Sequence, residues 1–206
     1  MARESFTILG IPGSLREGSF NRRLLRRAAA HAAQGVGFDV FEELGELPHY
    51  SQELEGDRAP EPVRDLRARI AGADALLVAT PEYNGSMPGV LKNALDWASR
   101  PSGESVLAGK PAGVIGASPG RFGAQRAQAD VRKVLNSIGA AVLDRELPVA
   151  RAHEAFEESG GLSDPALERY LAAFVAALVE HAGVPLAAES AEAAYSRECQ
   201  RLGRAA

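Results

Sequence analysis

The chain has 206 residues, 46% of them hydrophobic and 24% charged, and 23 basic against 27 acidic side chains leave a formal net charge of −4. Such values suit one globular domain with a substantial core and give no overall attraction to nucleic acid or anionic lipid. A single cysteine, Cys199, excludes an intrachain disulfide framework and a Cys-based metal site. No apolar run nears the roughly 20 residues of a membrane helix. The chain enters Phe6–Ile11 without a signal-peptide pattern, so a cytoplasmic location is expected.

Strand and helix patterns then alternate along the sequence. Phe6 to Ile11 predicts a first strand, followed by a Gly/Ser-rich loop. Asn21 to Gln34 places Leu24, Leu25, Ala28, Ala29 and Ala32 on one helical face, with Arg22, Arg23, Arg26 and Arg27 as a solvated face. Phe38 to Phe41 is a weaker second strand, and Leu44 to Pro60 reads as a long loop with at most one short turn. Val63, Leu66 and Ile70 mark the second helix, and Ala75 to Thr80 is an apolar run of the kind found in buried parallel strands. Pro88 suits the first turn of a helix running to Ala98. Ala112 to Ala117 is the fourth strand, and Val131, Val134, Leu135 and Ile138 form a helix closed by Gly139 as its C′ residue. Ala140 to Leu143, with a run-on towards Leu147, is the fifth strand. Asp164-Pro165 reads as an N-cap and first-turn proline opening a fifth helix, striped by Leu167, Leu171, Phe174, Val175, Leu178 and Val179. Residues 1–185 form one domain in this reading, and Leu186–Ala206 is an Ala/Glu-rich tail, helical and frayed or disordered. Five strands alternating with five helices predict a doubly wound α/β fold, because parallel strands need crossover connections. The spacing leaves the strand order open.

Three loops after strands carry the chemistry. Behind the first strand lies Gly10-Ile-Pro-Gly-Ser-Leu-Arg-Glu-Gly-Ser-Phe-Asn21. Gly13 and Gly18 have the spacing of P-loop glycines, but Ser19-Phe20 stands where Lys-Ser/Thr is required, and G-x-G-x-x-G is absent. What remains is a turn at a helix N-terminus suited to a terminal phosphate without a metal. In it Ser14 and Ser19 donate hydroxyl bonds, Arg16 supplies charge, and Asn21 caps or donates. Ordinary N-capping by Ser19 is the competing explanation, and it leaves Ser14 and Arg16 without a purpose. Behind the third strand, Pro81 stiffens a loop in which Tyr83 offers a flat face with a hydroxyl. Asn84 and Gly85 there suit positive φ and aim backbone N–H groups, as the edge of a planar heterocycle requires. Behind the fourth strand, Ser118 and Gly120 lie in a small-residue turn whose weight comes from its place among ligand loops.

The wording P-E-Y-N-G-S-M-P-G-V-L-K-N-A-L-D-W from Pro81, with G-S-L-R-x-G-S-x-N from Gly13, closely resembles the signatures of the NAD(P)H-dependent FMN reductases, which include quinone, chromate and azo-dye reductases. The resemblance covers roughly Phe6 to Gly183. It implies a flavodoxin-like fold with helices on both faces of a five-stranded parallel sheet of order 2-1-3-4-5, and FMN as cofactor. Ser14, Leu15, Arg16, Ser19, Phe20 and Asn21 then hold its phosphate, Pro81, Glu82, Tyr83, Asn84 and Gly85 its ring, and Ser118 and Gly120 border the flavin. NADPH or NADH is the reductant, a small quinone-like, chromate or azo compound the acceptor, and the assembly a homodimer or homotetramer. No catalytic acid, base or nucleophile and no metal is called for, because the flavin carries the hydride chemistry. Glu82 on this view supplies backbone and packing. His31, His49, His153 and His181 lack ligand-like spacing, and Lys92 and Asp96 read as an i,i+4 helical pair. Trp97 is left open between core and a subunit interface. Nothing in the sequence directs Arg121 or Arg126 towards a nucleotide 2′-phosphate. Two alternatives stay open: a flavin reductase supplying reduced FMN to a monooxygenase, and an electron carrier of the flavodoxin type without NAD(P)H activity. The second is disfavoured by the modest net charge and by Arg16.

Overall fold

The computed structural model describes residues 6–183, so the expectations for the tail at 186–206 and for Cys199 lie outside the described residues. Its elements are β1 (Phe6–Pro12), α1 (Phe20–Ala30), β2 (Val36–Val40), α2 (Glu61–Gly72), β3 (Ala75–Thr80), α3 (Gly89–Ala98), β4 (Pro111–Ala117), α4 (Gln125–Ile138), β5 (Ala141–Val142), β6 (Pro148–Val149) and α5 (Pro165–His181). The strands are all parallel, in the order β2-β1-β3-β4-β5, with β6 also pairing β4.

Local chemistry sets the helix ends. Ser19 accepts the Arg22 N–H at the head of α1, and Asp164 accepts the Ala166 N–H ahead of Pro165 in α5. Gly139 ends α4 at φ 91°, a left-handed conformation that costs glycine little. Pro88 is one position earlier than expected: it is the extended N-cap residue of α3, whose first helical residue is Gly89. α1 stops at Ala30, short of the expected Gln34, where the His31 N–H turns back to Ala28 O.

Alternate residues of the central strands face opposite layers. Ile8, Leu77 and Ile115 pack against Leu24 and Leu25 of α1 and Leu171, Phe174 and Leu178 of α5. Leu9, Ile11, Leu76, Val78 and Val114 pack against Val63, Leu66 and Ile70 of α2, Leu91 and Leu95 of α3, and Val131 and Leu135 of α4. Each such buried side chain contributes roughly 1.5–3 kcal/mol, which is why the six-residue β3, buried throughout, carries apolar residues on both faces. Trp97 belongs to this core: it is 1% exposed, its indole N–H donates to Pro48 O at 2.8 Å, and Tyr50 meets it edge-on.

The loop of residues 44–60 holds three short 3-10 turns, Leu44–Glu46, Gln52–Leu54 and Gly56–Arg58, where at most one was expected. The fifth strand is the main departure. Two residues pair with Pro111 and Ala112, the chain bulges away through 144–146 between the Leu143 N–H on Ala112 O and the Gly116 N–H on Leu147 O, and two more pair with Gly116 and Ala117. The buried Gln128 side chain of α4 fills the break, accepting the Leu147 N–H and donating to Gly123 O. The arginines of α1 are also less free than a solvated face. Arg22 pairs with Glu42, Arg27 with Glu168, and Arg23 donates to Glu157 O, leaving Arg26 as the outward one, 69% exposed.

Candidate active site

In a sheet of this order the connection out of β1 runs one way, to β2, and the connection out of β3 runs the other way, to β4, and ligands bind at that switch point beyond the carboxyl ends of the strands. The loops after β1, β3 and β4 all end there, on three adjacent strands. Ser14 in the first loop and Tyr83 in the second touch directly, hydroxyl to hydroxyl, at 3.2 Å. The close approach depends on Gly13, whose N–H donates to Ala79 O; a Cβ there would lie 3.0 Å from Leu91 and 3.3 Å from Pro81.

The first loop gathers donors at the head of α1. Ser14 and Ser19 are buried, while Arg16 is exposed, with its guanidinium on Gly18 O and 4.9 Å above the Phe20 ring. Among the described residues, the N–H groups of Phe20 and Asn21 donate to no carbonyl of the loop. Two open donors at the positive end of an 11-residue helix are a ready anion site. Ser19 caps α1 through its oxygen and keeps a hydroxyl proton to donate. Asn21 is placed otherwise than a phosphate donor: its buried amide donates to Ala117 O and accepts the Ala117 N–H, both at 2.9 Å. Leu15, half exposed, lies against Gly45.

In the second loop, Asn84 at φ 54° and Gly85 at φ 80° form the left-handed pair that the residue types predict. The turn is pinned by reciprocal backbone bonds between Tyr83 and Ser86 at 3.0 and 3.1 Å. Pro81 is buried, Tyr83 and Asn84 are exposed, and the Glu82 carboxylate leaves the loop for the backbone of α4. In the third loop the Ser118 hydroxyl accepts the Gly120 N–H at 3.2 Å. The chain after β6 latches over it, Arg151 N–H to Gly120 O and Ala152 N–H to Ser118 O. The Arg121 guanidinium stacks 4.5 Å over the Phe122 ring, and Arg126 lies beside Gly85. Tyr83 and Phe122, both about half exposed, thus give two of these loops an apolar surface that charged or polar residues ordinarily supply.

Sequence reasoning missed one supporting residue. Phe156, in the segment between β6 and α5, stacks on Phe20 at 6.1 Å with planes 9° apart, and the Arg23 guanidinium lies 4.7 Å from the centre of the Phe156 ring. Only an aromatic residue standing alone in a polar stretch hinted at it. No group of three or more His, Cys, Asp or Glu able to hold a metal occurs among the described residues, and no described helix is long and apolar enough to cross a membrane.

The chain is similar to known proteins over most of its length. The family model described as NADPH-dependent FMN reductase matches residues 6–154. The chain is 43% identical over 162 residues to an NAD(P)H-dependent FMN reductase of Pseudomonas aeruginosa, covering 78% of this chain and 86% of that protein. It is 42% identical over 166 residues to a 2-hydroxy-1,4-benzoquinone reductase of a Burkholderia species, covering 80% and 90%. The solved structure of FerB, a flavoenzyme NAD(P)H:(acceptor) oxidoreductase from Paracoccus denitrificans, superposes with a TM-score of 0.77 at 40% identity, over 86% of this chain and 97% of that one.

Proposed function

The chain belongs to the NADPH-dependent FMN reductase family, and from that premise we propose that it passes hydride from NADPH or NADH through bound FMN to a small quinone-like, chromate or azo acceptor. The observation that carries this reading is the open anion cradle at the head of α1. It has two unused N–H groups and two buried hydroxyls, with one arginine at the rim, and it is joined through Ser14 and Tyr83 to a left-handed turn able to face a planar ring. No metal ligand is needed for a phosphate monoester held in this way.

Ser14, Leu15, Arg16, Ser19, Phe20 and Asn21 hold the phosphate, with Asn21 contributing its backbone because its amide is committed to Ala117. Pro81, Tyr83, Asn84 and Gly85 hold the ring edge, Glu82 likewise through its backbone, and Ser118 and Gly120 border it. FMN, when bound, supplies the hydride chemistry. The backbone N–H groups of the Asn84–Gly85 turn stabilise negative charge at the polar edge of the ring, as fixed dipoles in a partly dry site do. The exposed faces of Tyr83 and Phe122 suit a flat, weakly polar acceptor. The protein works as a homodimer or homotetramer in the cytoplasm, residues 1–185 making one catalytic unit.

Two measurements test this. Flavin released by acid from the purified protein runs as FMN; stoichiometric FAD overturns the assignment of the phosphate loop. NADPH or NADH added under argon bleaches the flavin absorbance, and a quinone restores it; a flavin that stays oxidised makes the protein an electron carrier.

A further inference from the structure

Glu82 sits in the loop that bears Tyr83, Asn84 and Gly85, yet its carboxylate is spent elsewhere. Oε2 accepts the N–H of Arg126 at 3.1 Å and of Ala127 at 3.4 Å, in the first turn of α4. That helix has no cap of its own. A usual N-cap is Ser, Thr, Asp or Asn in extended backbone, whereas α4 starts from Ala124, with no side-chain acceptor and at φ 62°, behind Gly123 at φ 57°. The backbone approach there is close: a Cβ on Gly123 would lie 2.7 Å from the Pro148–Val149 backbone. A carboxylate from another loop takes the position, and its charge suits the positive helix pole.

The same loop grips α4 twice more. The Ser86 hydroxyl donates to Asp130 Oδ2 at 2.6 Å, about one turn further along. Arg126 packs on Gly85, with Nη1 3.7 Å from where a Cβ would stand. The Asn84–Gly85 turn is thus held to one helix by the residue two before it and the residue just after it. The third loop runs directly into that helix.

We propose that Glu82 and Ser86 are positioning residues that clamp the ring-facing turn onto α4, so that the loops after β3 and β4 keep one fixed separation across the ligand site. The clamp also occupies the first-turn donors of α4, which leaves the anion role to the head of α1. What the clamp serves rests on the FMN reading above, but the clamp itself is a property of the bare chain.

The test uses the full chain with Glu82→Ala, Glu82→Gln and Ser86→Ala. In ligand-free protein, amide hydrogen exchange in Glu82→Ala is expected to accelerate about tenfold or more in residues 82–87 and 122–128 together, and Gln, which keeps an acceptor oxygen, restores most of the protection. The FMN dissociation constant rises about tenfold in Glu82→Ala and several-fold in Ser86→Ala, and the potential of the bound flavin shifts as its ring edge moves. Faster exchange confined to 122–128, with FMN affinity and potential unchanged, would reduce Glu82 to a helix cap and overturn the proposal. If Glu82→Ala does not fold, Ser86→Ala, which leaves the cap in place, decides by the same paired readouts. Failure of the unaltered protein to take up FMN would sink the functional reading, and the paired exchange response would still decide the coupling.

Discussion

Gly85 offers the sharpest test of how the ring-facing turn works. It stands at φ 80°, and a Cβ placed on it meets nothing nearer than Arg126 at 3.7 Å, an ordinary contact. Gly85→Ala therefore introduces no clash, and its whole cost is the left-handed backbone, about 1–2 kcal/mol for an L side chain. Gly139, at φ 91° with nothing within 4 Å, carries the same cost at the far end of α4. The two positions should release it differently. Asn84 and Gly85 lie between the residues anchored to α4, so without ligand these two can readjust locally while Glu82 and Ser86 stay in place. The strain returns when the turn must take its ring-holding shape, and the FMN dissociation constant of Gly85→Ala should rise roughly five- to thirtyfold. Gly139 is tied through its N–H to Asn136 and through its carbonyl to the Gly109 N–H, and cannot relax without uncoiling α4. Gly139→Ala should lose about 2–4 °C of Tm per kcal/mol, with unchanged FMN affinity. Fluorescence-quenching titration of apoprotein and a thermal melt of each variant measure both quantities. Equal Tm losses with no change in either dissociation constant would show that the left-handed turn serves folding and not the ligand.

Arg16→Ala, which removes a charge-assisted bond of about 1.5–3 kcal/mol, should raise the FMN dissociation constant roughly ten- to hundredfold and leave flavin reduction at saturating FMN little changed; an unaltered constant refutes the phosphate role. Ser19→Ala should weaken FMN binding and also lower Tm, since the same oxygen caps α1 for about 1 kcal/mol. If nicotinamide and acceptor use one face of the ring in turn, initial rates give parallel double-reciprocal lines and high acceptor competes with NAD(P)H; intersecting lines without competition mean two separate sites. Burial pulls the Glu168 carboxyl upward, but hydrogen bonds from Arg27, His31 and the Leu162 N–H outweigh it and hold the group below its ordinary value. Its stabilising contribution is then complete above the ordinary glutamate pKa, near 4.3, and is lost as pH falls through the lowered native one. Glu168→Gln should thus lower Tm at neutral pH and flatten the acid fall below about pH 5; superimposable acid limbs would remove Glu168 from the account.

The elements most legible in the sequence were those whose burial writes a pattern. The unbroken apolar run of β3, the stripe of α5 and the glycine closing α4 all stand where periodicity and backbone preference place them. The left-handed turn at Asn84–Gly85 was legible because few residue types tolerate positive φ. The fifth strand was expected over 140–143 with a run-on towards Leu147, and its resumption as β6 at Pro148–Val149 was not legible, because the bulge before it is satisfied by a side chain of α4, Gln128, remote in sequence. The same limit hid the partners of Glu82 and Asn21. Residue type showed that each could accept or donate, and only the packed sheet decides which backbone lies opposite.

The paired bonds of Asn21 have a consequence for how such proteins vary. The β3–β4 ladder ends at Thr80 opposite Gly116, and the residue after β3 is Pro81, which has no N–H to offer Ala117. The Asn21 amide, donor and acceptor at once, meets both polar groups of Ala117 and behaves as a single peptide unit borrowed from α1. β3 is thereby free to depart before β4 ends, with no edge left unsatisfied. Loops of other lengths and chemistries could be spliced in after Thr80 without unzipping the sheet, so long as an amide persists at position 21. Aspartate would forfeit the donor and leucine both groups, so a transplanted specificity loop would fail in either background for reasons unrelated to its own sequence.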